Sequence, residues 1–259
     1  MTYSVKDKIV FITGASSGIG EACARAFAAA GARLILCARR VDRLDRLAAA
    51  LNVPTHCFAL DVRDQAAVQA AIAGLPAEWQ AIDILVNNAG LSRGLTKLHE
   101  YDLQDVDEMV DTNVKGLVYV TRAVVPGMVA RQRGHVINIG SIAGHAVYPN
   151  GAVYCATKAA VKSITEGLKM DLLGTPVRVT SVDPGLVETE FSIVRFHGDV
   201  ERAKKVYEGL RPLSANDVAD VVLFCATRPP HVNINDVVLM PVAQASATLV
   251  HRQPLPGIE

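Results

Sequence analysis

The segment TGASSGIG, from Thr13 to Gly20, restricts what this chain can fold into more than any other stretch. An apolar run, Ile9 to Ile12, precedes it, and an alanine-rich segment, Glu21 to Ala30, follows. Strand, tight turn and helix are expected in that order, and this context makes a glycine pattern a candidate diphosphate cradle. Gly14 allows a positive backbone dihedral, Gly18 lets a pyrophosphate approach the main chain, and Gly20 lets the helix pack on the sheet. Ser16, Ser17 and Ile19 complete the candidate phosphate-binding set. The helix would point its unpaired N–H groups and positive dipole end at the phosphates. Alone, the same turn also reads as a plain tight connection.

Short β-branched runs alternate with longer helical patterns, the arrangement of a parallel sheet with crossover helices. Strands are predicted near residues 9–13, 33–37, 55–59, 82–86, 135–140, 178–182 and 237–240. Helices are predicted near 18–30, 42–51, 65–74, 103–131, 151–173 and 215–227. This is an α/β fold, a Rossmann-like doubly wound parallel sheet of about seven strands with helices on both faces. No repeat or linker divides it, so residues 1–252 read as one dinucleotide-binding and catalytic domain. Residues 186–210 are long for a connection and read as a substrate loop. The tail 253–259 carries two prolines and is expected to be disordered or held against a partner subunit.

Lys plus Arg and Asp plus Glu each number 26, so the net charge is zero. Such a chain has no electrostatic footprint for nucleic acid or anionic lipid. No apolar run reaches transmembrane length, and the start MTYSVKDK has no secretory apolar core, so a cytoplasmic location is expected. Five cysteines lie scattered without a C-x-x-C pair, and seven histidines show no ligand spacing. Buried thiols in a reducing compartment fit this pattern, and a metal site finds no support.

The second strand should end at the adenosine ribose. An NAD-selective site places an acid there, whereas this chain has Ala38 followed by Arg39 and Arg40. An arginine fork suits a 2′-phosphate, so NADP(H) is the expected cofactor; a solvated pair at a helix start is the other reading. After the third strand, Asp61 is placed to accept the adenine amine and Val62 to offer a backbone contact, unless Asp61 caps a helix. Asn88, Ala89 and Gly90 end the fourth strand at the carboxyl edge, where ligands bind in such sheets. A strand-ending turn would look the same.

Ser141 closes the fifth predicted strand, and Tyr154 and Lys158 lie four apart on one face of the next helix. A tyrosine ionises near ~10, too high for a base at neutral pH, and a neighbouring ammonium would lower it. Ser141 would then hold a substrate oxygen while Tyr154 exchanges its proton.

TGASSGIG, Asp61–Val62, the NNAG run ending at Gly90, Asn113, Ser141, Tyr154, Lys158 and Pro184–Gly185 stand in a fixed order. In that order the chain resembles the short-chain dehydrogenase/reductases over essentially its whole length. The resemblance implies an oxidoreductase with Tyr154 as general acid/base and Ser141 as the substrate-orienting hydroxyl. It implies that Lys158 lowers the tyrosine pKa and holds the nicotinamide ribose, and that Asn113 anchors a proton-relaying water. Pro184, Gly185, Val187 and Thr189 would line the nicotinamide, and a homotetramer would be the assembly. A non-catalytic NADP(H)-sensing protein is the rival class, but a sensor has no need of the Ser141, Tyr154 and Lys158 set.

Residues 184–196 (PGLVETEFSIVRF), 231–236 (HVNIND) and 240–244 (MPVAQ) are similar to the NADP-dependent 3-hydroxy acid dehydrogenases, including serine and allo-threonine dehydrogenases, and to sulfoacetaldehyde reductases. Those enzymes take small anionic substrates. Arg195 is the side chain assigned to the anion, with Tyr148 and Gln244 as neutral donors. An exposed loop arginine and a tyrosine packed beside Pro149 are the plainer readings. A carboxylate, a sulfonate or a neutral aldehyde stays open, and His145 receives no role.

Overall fold

The computed structural model describes residues 3–258. Its strands are β1 (Ile9–Thr13), β2 (Arg33–Ala38), β3 (Thr55–Ala59), β4 (Ile84–Asn87), β5 (Gly134–Ile139), β6 (Val177–Pro184) and β7 (Asp236–Leu239). They form one parallel sheet in the order β3-β2-β1-β4-β5-β6-β7. The helices are α1 (Gly18–Ala29), α2 (Val41–Ala49), α3 (Gln65–Ala73), α4 (Leu103–Val110), α5 (Leu117–Ala130), α6 (Ala152–Asp171), α7 (Phe191–Arg195), α8 (Val200–Lys205) and α9 (Ala215–Ala226).

The central strands are apolar throughout because both faces are covered. Val10, Ile12, Leu34, Leu36 and Val86 meet Phe27 of α1, Leu44 of α2 and Val222 of α9 in one core. Ile9, Phe11, Ile35 and Leu85 meet Val68 of α3 and Val124 of α5 in the other. Winding reverses at β1, which pairs with β2 on one side and β4 on the other. A crevice opens at the carboxyl ends of strands at such a reversal.

A polar ladder runs through the middle of this apolar block. Asn87 of β4 stands opposite Asn138 of β5. The Asn87 amide donates to Asn138 Oδ1 at 2.9 Å and to Thr121 Oγ1 at 3.0 Å. Asn138 donates onward to Thr165 Oγ1 of α6 at 2.9 Å. All four side chains are buried.

Two expectations need correction. The helix expected over 103–131 is α4 and α5 joined by a π-helical segment, Asp111–Gly116. Apolar spacing continues through a wider turn, so the sequence hides it; such turns recur at functional sites. Residues 186–210, expected as a loop, contain α7 and α8, and Val187 pairs with Leu213 at their base. Helices of five and six residues are too short to show a period. In the tail, residues 253–258 are mostly exposed and Leu255 pairs with Ile258. Met1, Thr2 and Glu259 lie outside the described residues.

Candidate active site

A cleft of about 400 Å³ lies over the carboxyl edge of the sheet. Every residue given a catalytic, cofactor or substrate role from the sequence lines it except Gly20 and Asn113, which are buried outside the lining. Gly14 has φ +66°, and a Cβ there would lie 2.9 Å from the Cα of Ala89. At Gly20 a Cβ would lie 2.5 Å from the Asn88 amide. Asn88 donates to the carbonyls of Thr13 and Gly14, at 2.9 and 3.2 Å. The Thr13 hydroxyl accepts from the backbone N–H groups of Asn88 and Ala89, at 3.1 and 3.0 Å. Asn88 is therefore a brace that closes the β4 turn onto the glycine turn. Thr13 shares that work, and its place at the end of an apolar strand gave no sign of it.

Beside the glycine turn, Arg40 Nη2 donates to Ser17 Oγ at 2.9 Å and Ser16 Oγ at 3.3 Å. Its Nη1 donates to Glu190 at 3.0 Å. Arg43 also holds Glu190, at 2.7 and 2.9 Å. Arg39 is half-exposed and 3.6 Å from Glu108. A dinucleotide with a 2′-phosphate fits these residues: glycines where a Cβ would obstruct, hydroxyls beside them, and a cluster of arginines. Asp61 is occupied by Arg63, whose Nη2 lies 2.6 Å from Oδ2, and this pair holds the Asp61 carboxyl below its ordinary range. The helix cap is Asp64, which accepts from the Ala67 N–H. Val62 is buried in the cleft wall.

At the other end, Ser141 leaves β5 and Tyr154 and Lys158 project from α6. The Ser141 hydroxyl accepts from the Ala143 N–H at 3.1 Å, and Ser141 also helps to pull the Tyr154 pKa down. Lys158 is buried and donates to the Ile139 carbonyl at 2.8 Å. Burial pushes its pKa down to about 8, against a smaller opposite pull from Asp183. Burial pushes the Tyr154 pKa up, and Arg195 first and Ser141 second pull it back down. Asn113 lies in the π-helical segment. Its amide donates to the Leu91 carbonyl and Thr157, and its Oδ1 accepts from the Leu91 N–H. Its side chain thus fixes the segment after Gly90.

Arg195 is no exposed loop residue. It ends α7, is buried, and places its guanidinium 4.9 Å from the Phe191 ring centre and 5.3 Å from that of Tyr154. Arg195 Nη2 donates to the Tyr148 hydroxyl at 3.3 Å, and its buried Nε has no partner among the described residues. Tyr148 therefore meets Arg195, with burial raising its pKa. Gln244 is otherwise engaged: Oε1 accepts from the Leu186 N–H at 2.8 Å and Nε2 donates to the Ser246 carbonyl at 3.1 Å. It braces the strand end at Pro184–Gly185, where a Cβ on Gly185 would lie 2.3 Å from Gln244 Oε1. Thr189 packs on Gly18 and accepts from the Phe191 N–H. His145, outside the cleft lining, binds Asp183 at 2.5 Å with Asp236 at 3.9 Å. Distant in sequence, these three bring donor atoms within 4.8 Å of one another, a grouping that residue spacing does not reveal. Tyr207, also unanticipated, ties the cleft roof by bonds to Ser192 Oγ and the Val187 carbonyl, at 2.7 and 2.9 Å.

A family profile described as short chain dehydrogenase matches residues 8–198. The chain belongs to that family. This dehydrogenase is 52% identical over 246 residues to the NADP-dependent 3-hydroxy acid dehydrogenase YdfG of Salmonella typhi, covering 94% of this chain and 99% of that one. It is 48% identical to sulfoacetaldehyde reductase 2 of Chromohalobacter salexigens, over 94% of this chain and 98% of that one. Among solved structures, the closed form of serine dehydrogenase complexed with NADP+ superposes with a TM-score of 0.91 at 51% identity, covering 95% of this chain and all of that one.

Proposed function

We propose that this protein is an NADP-dependent oxidoreductase that interconverts a small anionic 3-hydroxy acid and its carbonyl counterpart. The buried guanidinium of Arg195 carries the substrate class. It faces the cleft beside the Tyr148 hydroxyl, with its Nε unpaired and no carboxylate on it among the described residues. A buried cation without a counter-anion is costly, and a substrate anion relieves that cost. The 3-hydroxy acid dehydrogenase relative supports a carboxylate, and the sulfoacetaldehyde reductase relative a sulfonate.

Glycine turn, Ser16, Ser17, Arg39 and Arg40 hold the diphosphate and 2′-phosphate in this reading, and Lys158 meets the nicotinamide ribose. When bound, NADPH supplies the hydride and NADP+ accepts it. In reduction, Ser141 donates a hydrogen bond to the carbonyl oxygen and Tyr154 gives that oxygen its proton, yielding the hydroxyl. Oxidation returns the proton to Tyr154; Arg195 beside its ring, with Lys158 one turn along α6, would stabilise the phenolate that reduction leaves behind.

Arg195→Ala should lower kcat/KM for malonate semialdehyde or sulfoacetaldehyde by roughly ten- to a hundredfold, the equivalent of about 1.5–3 kcal/mol for a lost charge-assisted bond. Propanal, a neutral aldehyde, should lose little. Equal losses on both would show that Arg195 supports the cleft roof without reading an anion.

The domain, assembly and location belong to the same reading: one catalytic domain, a cytoplasmic homotetramer. Leu103, Met170 and Leu173 are large apolar side chains exposed at helix ends, which supports self-association. No helix among the described residues is long and apolar enough to cross a membrane. Light scattering at micromolar concentration reads the assembly directly.

A further inference from the structure

The arginines at the 2′-phosphate end are shared with the helix that carries Arg195. Glu190, immediately before α7, takes Arg40 Nη1 at 3.0 Å and Arg43 Nη1 at 2.7 Å. The same Arg40 turns Nη2 onto the hydroxyls of Ser16 and Ser17. One planar fork therefore has one arm on the start of α7 and the other on the phosphate cradle. A second chain of contacts reaches the far end of α7. Arg39 lies 3.6 Å from Glu108 Oε1, and Arg93 Nε lies 2.7 Å from Glu108 Oε2. Arg93 Nη1 then donates to the Val194 carbonyl at 2.5 Å, and the neighbouring Gly94 N–H donates to the Arg195 carbonyl at 2.8 Å.

We propose that Glu190, with Glu108 as the second anchor, is a positioning residue through which the cofactor's 2′-phosphate sets the affinity for the substrate anion. The phosphate occupies the arm of Arg40 that faces Ser16 and Ser17 while the other arm keeps Glu190. An exposed ion pair between mobile side chains is worth little, whereas a guanidinium fixed by phosphate on one side is already ordered for its carboxylate on the other. Ordering Arg40 thus orders the start of α7 and the position of Arg195 at its end. Binding at the two ends of the cleft is then coupled, and the coupling is reciprocal. The inference rests on the proposed reading of Arg195, and it makes NADP(H) more than a tighter-binding version of NAD(H).

Two measurements test it. In the unaltered enzyme, KM for the anionic aldehyde that supports turnover should be about tenfold lower with NADPH than with NADH, while KM for propanal is the same with both. Glu190→Gln should reduce the anionic ratio to below threefold. Arg43→Gln should do the same, with no further change in the double variant. Independently of turnover, adenosine 2′,5′-bisphosphate should slow hydrogen exchange in residues 191–196 more than 5′-AMP does, and Glu190→Gln should abolish that difference. A ratio near one in the unaltered enzyme, or a ratio and exchange difference that survive Glu190→Gln, overturns the proposal. Failure of the substrate reading shows elsewhere, as equal losses on anionic and neutral aldehydes in Arg195→Ala.

Discussion

The glycine turn and the substrate wall occupy opposite ends of one cleft and are built in opposite ways. Between Thr13 and Gly20 the turn is largely local: β1, the two positive-φ glycines and the start of α1 are consecutive. Its long-range braces are few: the β4 turn at Asn88 and Ala89, the Cys37 carbonyl on the Ala15 N–H, and Arg40 on Ser16 and Ser17. The substrate wall has no such locality. Arg195 from α7, Tyr148 from the segment after Ser141 and Tyr154 from α6 meet only because β5, β6 and α6 are packed together. A local motif is defined by backbone needs and reads from sequence; a wall assembled from distant segments is defined by packing. Damage to the turn should therefore appear as lost stability and cofactor affinity, and damage to the wall as lost chemistry on an intact fold.

The sharpest challenge is Tyr154→Phe. Turnover should fall by about 10²–10⁴-fold, the usual worth of a positioned acid/base, while NADPH binding by fluorescence titration and Tm stay near the unaltered values. Substantial activity in this variant would remove Tyr154 from the acid/base role.

Lys158→Met blurs the comparison in an instructive way, because the proposed roles of Lys158 reach both ends. Its folded pKa of about 8 lies below its usual 10.5. Between those values the unfolded chain binds more protons, so stability attributable to this group rises as pH increases from 8 to 10.5 and is lowest below pH 8. Removing the buried charge should raise unfolding stability near pH 7 by up to about 3 kcal/mol, with the gain fading towards pH 10.5, even as turnover is lost. Denaturant melts across that range check the sign; a gain independent of pH would mean that the ammonium is not the cause.

Gly20→Ala probes the turn itself. The new Cβ would meet the Asn88 amide and the Gly14 carbonyl, both at 2.5 Å. Overpacking of this kind costs about 1–3 kcal/mol, so Tm should drop and the KM for NADPH rise. An unchanged Tm would show that the brace yields freely. Arg39→Ala is the mildest change, since the residue is half-exposed and Arg40 remains. The KM for NADPH should rise about tenfold, close to the loss of one charge-assisted bond, with that for NADH little altered. Equal effects on both cofactors would detach Arg39 from the 2′-phosphate.

What the sequence disclosed follows the same division. The seven strands, their parallel sheet and the placement of Ser141 after β5 and of Tyr154 and Lys158 on the next helix were legible because period and spacing encode them. Strand ends moved by a residue or two: β4 runs from Ile84 to Asn87, not over 82–86. The π-helical segment around Asn113 and the short helices α7 and α8 were not legible, since neither changes the apolar period over a readable length. Side-chain roles were read least well. Gln244 looked like a donor to substrate and is taken by Leu186 and Ser246; Glu190 and Glu108 look like ordinary surface acids until their arginines, from distant segments, come into view. Nothing in residue type distinguishes a solvated carboxylate from one that holds two or three guanidinium groups.

The buried ladder of Asn87, Asn138, Thr121 and Thr165 bears on the search the chain makes while folding. Apolar strands of Val, Ile and Leu slide past one another at small cost, because each methyl finds another methyl after a shift. Amides do not. A slip of β5 against β4 would turn Asn138 towards the opposite face, among hydrocarbon, and strand its partner Asn87. Competing alignments of the two central strands are thereby raised in energy while the correct one is left open. Asn88–Gly90 and Ser141 each lie within three residues beyond this pair, so the alignment that rescues the amides is also the one that sets the β4 turn and the Ser141 hydroxyl level with each other.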